Sequence, residues 1–276
     1  MGRRASRSRA RSRGVAAAIG GIVLICVALA ATAALAFFYF SNPKNPTLDA
    51  ASLCPVDGPR GITVVLVDTS DEIFETTRRD VLTSLRDQIT ALPDYYKLDI
   101  RVLDIPNARS RLLFEKCNPG DGNGLSEWTA NPRLARMRWI EHFEKPANDN
   151  LTASLASAKT KSSPIMGALQ DIALNQFSSA AVQHIPKALI IISDMVEFTT
   201  DYSQYPSAGD LSYRRFMQSR AYTKFRTDLH GASVTIQYIP RERPRIDSYA
   251  LMEFWHQWTN DNRGTWNIAR RLQGVN

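Results

Sequence analysis

The sequence predicts an α/β fold: a doubly wound, mainly parallel sheet with helices on both faces and an antiparallel edge strand, preceded by one transmembrane helix. Three observations carry this. Short aliphatic and β-branched runs such as "GITVVLV" and "KALIIIS" alternate with longer stretches of helical apolar spacing, the pattern of a parallel sheet buried on both sides. The link "IPNARS" between two of those runs is too short for a helical crossover, so the strands it joins must be antiparallel. Ahead of them stand 26 uncharged residues, Val15 to Phe40.

That first segment would span roughly 39 Å as a helix, more than the ~30 Å hydrocarbon core. Residues 1–14 hold six Arg and no acid, which places the N-terminus in the cytoplasm and the rest of the chain outside it. Phe37, Phe38, Tyr39 and Phe40 suit the far interface. A signal peptide cleaved near "ALA" at 34–36 is the rival. The run is far longer than the usual h-region, and an uncleaved signal anchor over 15–40 is the expectation. Arg3 and Arg4 lie in a simple Arg/Ser alternation and make a weak twin-arginine signal. Ala28, Thr32 and Ala36 recur every four residues, which permits helix association and a homo-oligomer.

The formal charge of +7 belongs to the tail, because the remaining 28 basic residues face 27 acidic ones. A balanced domain has no field to attract phosphates, so no nucleic-acid partner is expected. Residues 41–60 carry four prolines and read as a tether. Cys54 and Cys117 are the two cysteines beyond the membrane segment. An oxidising compartment permits them to pair, with two separate thiols as the alternative.

Within the main domain, 61–276, strands are predicted at Ile62–Asp68, Leu98–Leu103, Arg111–Glu115, Ala188–Ser193 and Ser233–Tyr238. Helices are predicted at Asp71–Ala91, Arg133–Phe143, Pro164–Phe177, Tyr213–Leu229 and Tyr249–Trp258. Residues 118–160, with "NPGDGNG" turns and a helix bounded by prolines, read as an insertion near one end of the sheet. "NLT" at 150–152 fits the short glycosylation pattern.

In such a sheet, ligands bind at the carboxyl ends of strands where the strand order reverses. Asp68 and Ser70 follow the first strand, Asp194 ends the fourth, and Ser162 and Ser163 lead into a helix beginning at Pro164. Carboxylates with supporting hydroxyls form an oxygen-only donor set suited to Mg²⁺, with Mn²⁺ or Ca²⁺ as alternatives.

These residues resemble the metal-ion-dependent adhesion site of the von Willebrand factor type A family. "DTSDE" supplies Asp68 and Ser70, "SPIMGAL" puts Ser163 where the family has a Thr, and "IIISDM" supplies Asp194. The resemblance covers roughly 60–270 and implies a domain that binds another protein through a divalent cation. Two departures stand out. Glu72 replaces the second Ser of the Asp-x-Ser-x-Ser pattern, and Met195 follows Asp194 where Gly is usual. Glu72 would ligate the ion, take the place of a partner's carboxylate, or turn to solvent. Its charge beside Asp68, Asp71 and Asp194 favours a cation and repels an acidic ligand.

The expected protein is therefore a single-pass inner-membrane protein with its main domain in the periplasm, in an envelope assembly with a protein partner. Its site would comprise Asp68, Ser70, Glu72, Ser163 and Asp194. A metal-dependent hydrolase using the same carboxylates is one alternative, although Ser70 stands where a dehalogenase-type phosphatase needs a second Asp. A scaffold without metal is the other. His142, His184, His230 and His256 show no ligand spacing, and no G-x-S-x-G elbow is present. Trp255, Trp258 and Trp266 read as packing, and "RERPR" at 241–245 as a solvated loop.

Overall fold

The computed structural model describes residues 6–41, 46–70, 75–123, 125, 131–155, 162–205, 211–240 and 246–272. It divides into two units, Met1–Pro46 and Thr47–Asn276. Among the described residues, the first contains one helix, α1 (Ser6–Ser41), whose Gly20–Phe37 stretch is long and apolar enough to cross a membrane.

The second unit holds a six-stranded sheet. In chain order come β1 (Gly61–Val67), α2 (Glu75–Ala91), β2 (Tyr96–Asp104) and β3 (Arg109–Cys117). Then follow α3 (Pro132–Trp139), α4 (Lys145–Ser154), α5 (Ile165–Ile172) and β4 (Lys187–Ser193). The chain closes with α6 (Tyr213–Met217), α7 (Arg220–Lys224), β5 (Ser233–Tyr238), α8 (Ser248–Asp261) and β6 (Thr265–Arg271). The spatial order is β3-β2-β1-β4-β5-β6. Only β2 and β3 pair antiparallel, as the short link between them requires. Strand order thus reverses between β1 and β4, which pair in parallel from Ile62↔Lys187 to Val67↔Ile192.

Every residue of β1 is buried, and its side chains alternate between two cores. Ile62, Val64 and Leu66 face one cluster with Leu169, Phe216, Phe254 and Trp255; Val65 and Val67 face the other with Val81, Leu85 and Ile89 of α2. Trp255 and Trp258 are core residues on α8, as their spacing predicts, and Trp266 packs against the same cluster.

The stretch read as an insertion contributes to the core. A π-helical segment at Ile140–Glu144 joins α3 to α4. Trp139, Phe143, Ala147, Leu151 and Leu155 are buried against the α2 face. Pro146 does not end the helix: the π-helical turn runs into α4 without a break, Lys145 N donating to Ile140 O, and the residue without an N–H stands directly after that widened turn. Asn150, the first residue of "NLT", lies on α4 with its side-chain amide donating to Pro146 O at 2.8 Å.

Cys54 and Cys117 form a disulfide, with Cα atoms 4.7 Å apart and a sequence separation of 63. It fastens the segment before β1 to the end of β3, and two backbone bonds reinforce the join. Cys117 N donates to Ser52 O at 2.9 Å, and Arg60 N to Tyr95 O at 3.0 Å. The tether therefore meets the sheet where β1 and β2 begin. The described core and the disulfide lie wholly within 47–276, so this part carries its own fold.

Candidate functional site

At the opposite pole, β1 and β4 end side by side. Asp68 N donates to Ile192 O at 2.8 Å, continuing the ladder by one bond and setting Asp68 beside Ser193 and Asp194. Its carboxylate is buried and accepts from three groups. Ser70 N donates to Oδ1 at 2.9 Å, while the hydroxyls of Ser193 and Ser163 donate to Oδ2 at 2.7 and 3.1 Å. The Ser70 contact is an Asx turn, which explains the Asp-x-Ser spacing: the carboxylate folds the chain back and turns Ser70 inward. Asp194 uses the same device, with Oδ1 accepting from Val196 N at 2.9 Å.

Ser163 comes from a different loop, held by the segment that follows Asp194. Ser163 N donates to Phe198 O at 2.8 Å and Phe198 N to Ser163 O at 3.1 Å, and Ser162 Oγ adds a bond to Phe198 O at 2.9 Å. Glu197, wholly buried, accepts from Met166 N in the first turn of α5 at 2.8 Å, and among the described residues its other oxygen, Oε1, has no hydrogen-bond partner. Burial pushes its carboxyl up to about 8, against the pull of the Met166 N–H and the Thr199 hydroxyl, with the charge of Asp68 adding to the rise. The two loops are thereby fixed to each other before any ligand arrives.

Met195 occupies left-handed backbone, φ 60°, with its side chain fully buried. The position that usually carries Gly in the family pattern is thus one where Gly would be free of strain. Met195 is held there by Ser193 Oγ, which accepts from its N–H at 2.8 Å, and by Trp255 Nε1, which donates to its carbonyl at 2.7 Å.

Four of the five residues expected at the site, Asp68, Ser70, Ser163 and Asp194, are therefore buried at one sheet end. Asp68 bonds to groups of Ser70 and Ser163, and Asp194 adjoins Ser193 on the neighbouring strand. Glu72 lies outside the described residues. Ser193 and Glu197 belong to the same site but were not anticipated. Ser193 sits in the "IIISD" strand, where a lone Ser among Ile residues was the available signal, and Glu197 follows in "SDMVE". Among the described residues no three His, Cys, Asp or Glu side chains cluster as metal ligands. The donor set here is instead two carboxylates with hydroxyls. It fits a hard cation chemically, since each hydroxyl can turn its proton away and offer a lone pair.

No protein-family model and no curated protein matches the chain. Among solved structures it is similar to one described as a von Willebrand factor type A protein from Catenulispora acidiphila. The identity is 15%, covering 77% of this chain and 39% of that one, with a TM-score of 0.41. It is also similar to an aerotolerance-related membrane protein from Bacteroides fragilis, at 12% identity, 77% and 91% coverage and a TM-score of 0.34. The chain thus spans well under half the length of the Catenulispora structure. The decisive feature is internal: strand order 3-2-1-4-5-6 with one antiparallel edge, and the Asp-x-Ser and second Asp loops meeting at the β1/β4 switch point. The domain is a doubly wound α/β sheet of von Willebrand A/Rossmann-like form. In such a domain the carboxyl ends of β1 and β4 form the natural ligand-facing surface.

Proposed function

We propose that the chain is a membrane-anchored, extracytoplasmic von Willebrand A-like domain that binds another protein through a divalent cation, within an assembly of the cell envelope. The observation that carries this reading is the convergence of Asp68, Ser70, Ser163 and Asp194 on the switch point of the sheet. An ion there would be held by the carboxylates of Asp68 and Asp194 and the hydroxyls of Ser70 and Ser163, with Ser193 steadying Asp68. The ion would supply Lewis acidity toward an oxygen of the partner; the chain's own residues do the positioning. The apolar Gly20–Phe37 stretch of α1, with six Arg before it in the sequence, supports an anchor with its N-terminus in the cytoplasm and the domain in the periplasm.

One observation favours a second reading, a scaffold that binds its partner without metal. Asp68 already has three hydrogen-bond donors and is satisfied as it stands. Calorimetric titration of the 47–276 fragment with Mg²⁺, Mn²⁺ and Ca²⁺ separates the two. Saturable binding that Asp68→Ala abolishes is the expected result. No heat with any ion, from a folded fragment, would leave the metal-free scaffold.

A further inference from the structure

The two oxygens of the Asp68 carboxylate are used unequally. A carboxylate oxygen has two lone pairs, and those of Oδ2 both accept hydroxyl protons, from Ser193 at 2.7 Å and from Ser163 at 3.1 Å. Among the described residues Oδ1 accepts only the Ser70 N–H, at 2.9 Å. One oxygen is thus filled from within the protein, while the other keeps a lone pair to offer.

The two hydroxyls on Oδ2 also differ in how they are held. A serine hydroxyl ordinarily rotates to suit its surroundings. That of Ser193 is aimed, because the Met195 N–H donates into its oxygen at 2.8 Å and leaves the proton directed at Asp68. Met195 is fixed in turn by Trp255 Nε1, which donates to its carbonyl at 2.7 Å. Ser193 itself is the last residue of β4, paired with Tyr238 of β5, so the sheet sets its position. Ser163 can keep its bond to Oδ2 and still offer an oxygen lone pair to an ion. Ser193, Met195 and Trp255 are all buried, which keeps water from competing for Oδ2 on that side.

A carboxylate with one oxygen filled meets a cation through the other alone. Such single-oxygen ligation suits Mg²⁺, which demands a near-octahedral set of about six ligands. It suits Ca²⁺ less well, since that ion takes about six to eight oxygens and often both from one carboxylate. We propose that Ser193 is a positioning residue that sets the ion preference of the site: by pinning Oδ2 it holds Asp68 to one-oxygen ligation and favours Mg²⁺ over Ca²⁺. This rests on the cation-binding reading of the same site and names the ion that reading leaves open.

The test is calorimetric titration of the 47–276 fragment with Mg²⁺ and with Ca²⁺, and its readout is the ratio of the two dissociation constants. Wild type should bind Mg²⁺ more tightly. Ser193→Ala frees Oδ2 and should move the ratio toward Ca²⁺ by about tenfold or more, the scale on which loss of an outer-shell partner acts. Ser193→Val should show the same shift, whereas Ser193→Thr, matched to it in size but carrying a hydroxyl, should keep the wild-type ratio. Leu85→Ala, a core truncation on α2, controls for general loosening and should lower the thermal midpoint with the ratio unchanged. A ratio that is the same in the Thr and Val variants, or that moves equally in Leu85→Ala, overturns the proposal. Were the folded wild type to bind neither ion, the cation reading itself would fall, and this proposal with it.

Discussion

Met195 concentrates two opposing costs in one residue. Its left-handed backbone is strained by roughly 1 kcal/mol for a residue with a Cβ, while its buried side chain fills the core beside Trp255. Met195→Ala should lose about 2–4 kcal/mol of stability through the cavity left behind. Met195→Gly loses the same packing but relaxes the backbone, and should fall less far, by about 1 kcal/mol. Urea midpoints of the two variants check this order. Glu197 gives a pH signature. Its folded carboxyl titrates at about 8 against an ordinary 4.5, so the folded state holds a proton that the unfolded chain has released over that range. Stability from this group is fully present below pH 4.5 and is lost as pH rises through 8. Glu197→Gln keeps an acceptor for Met166 N and should flatten that decline in denaturation curves taken from pH 5 to 9. Were wild type and variant to decline in parallel, Glu197 would be ionised throughout.

At the scale of elements, α5 links the site to the β2–β3 hairpin through Gly167. A Cβ at this position would lie 2.4 Å from Ala108 O, which is backbone and cannot swing aside. Gly167→Ala should destabilise by about 1–3 kcal/mol through overpacking, read as a lower thermal midpoint. Because α5 begins just after Ser163, the same change should weaken any cation binding seen by calorimetry. This scale also shows what the sequence made legible. β1 and β4 could be read because both faces of each are buried, which leaves long aliphatic runs. β6 was missed: "TWNIARR" is an edge strand with mostly exposed side chains, and its register is broken between Val234 and Thr235 of its neighbour. The helix predicted over Tyr213–Leu229 is two short ones, because Ser219 caps a new start by accepting from Tyr222 N. At the site, Asp68, Ser70, Ser163 and Asp194 were readable from motif order. Glu197 was not, since its role depends on packing between loops 31 residues apart.

For the molecule as a whole, the disulfide is a covalent constraint of long sequence reach. Closing a loop across 63 residues of separation contributes about 4 kcal/mol in the chain-entropy model. Removing it with Cys54→Ser and Cys117→Ser should lower the thermal midpoint of the 47–276 fragment by several degrees in non-reducing buffer. Reducing agent should do the same to the wild type and nothing further to the double variant. The staple has a mechanical meaning as well. If a partner pulls at the Asp68 end of β1 while the tether holds the other end, the load runs along β1, which is bonded on both sides to β2 and β4. Such a strand cannot be peeled; its ladders must shear together. The Cys54–Cys117 bond adds a second path by passing part of the pull to β3. A domain wired this way resists unravelling from the end at which residues 47–60 enter the sheet.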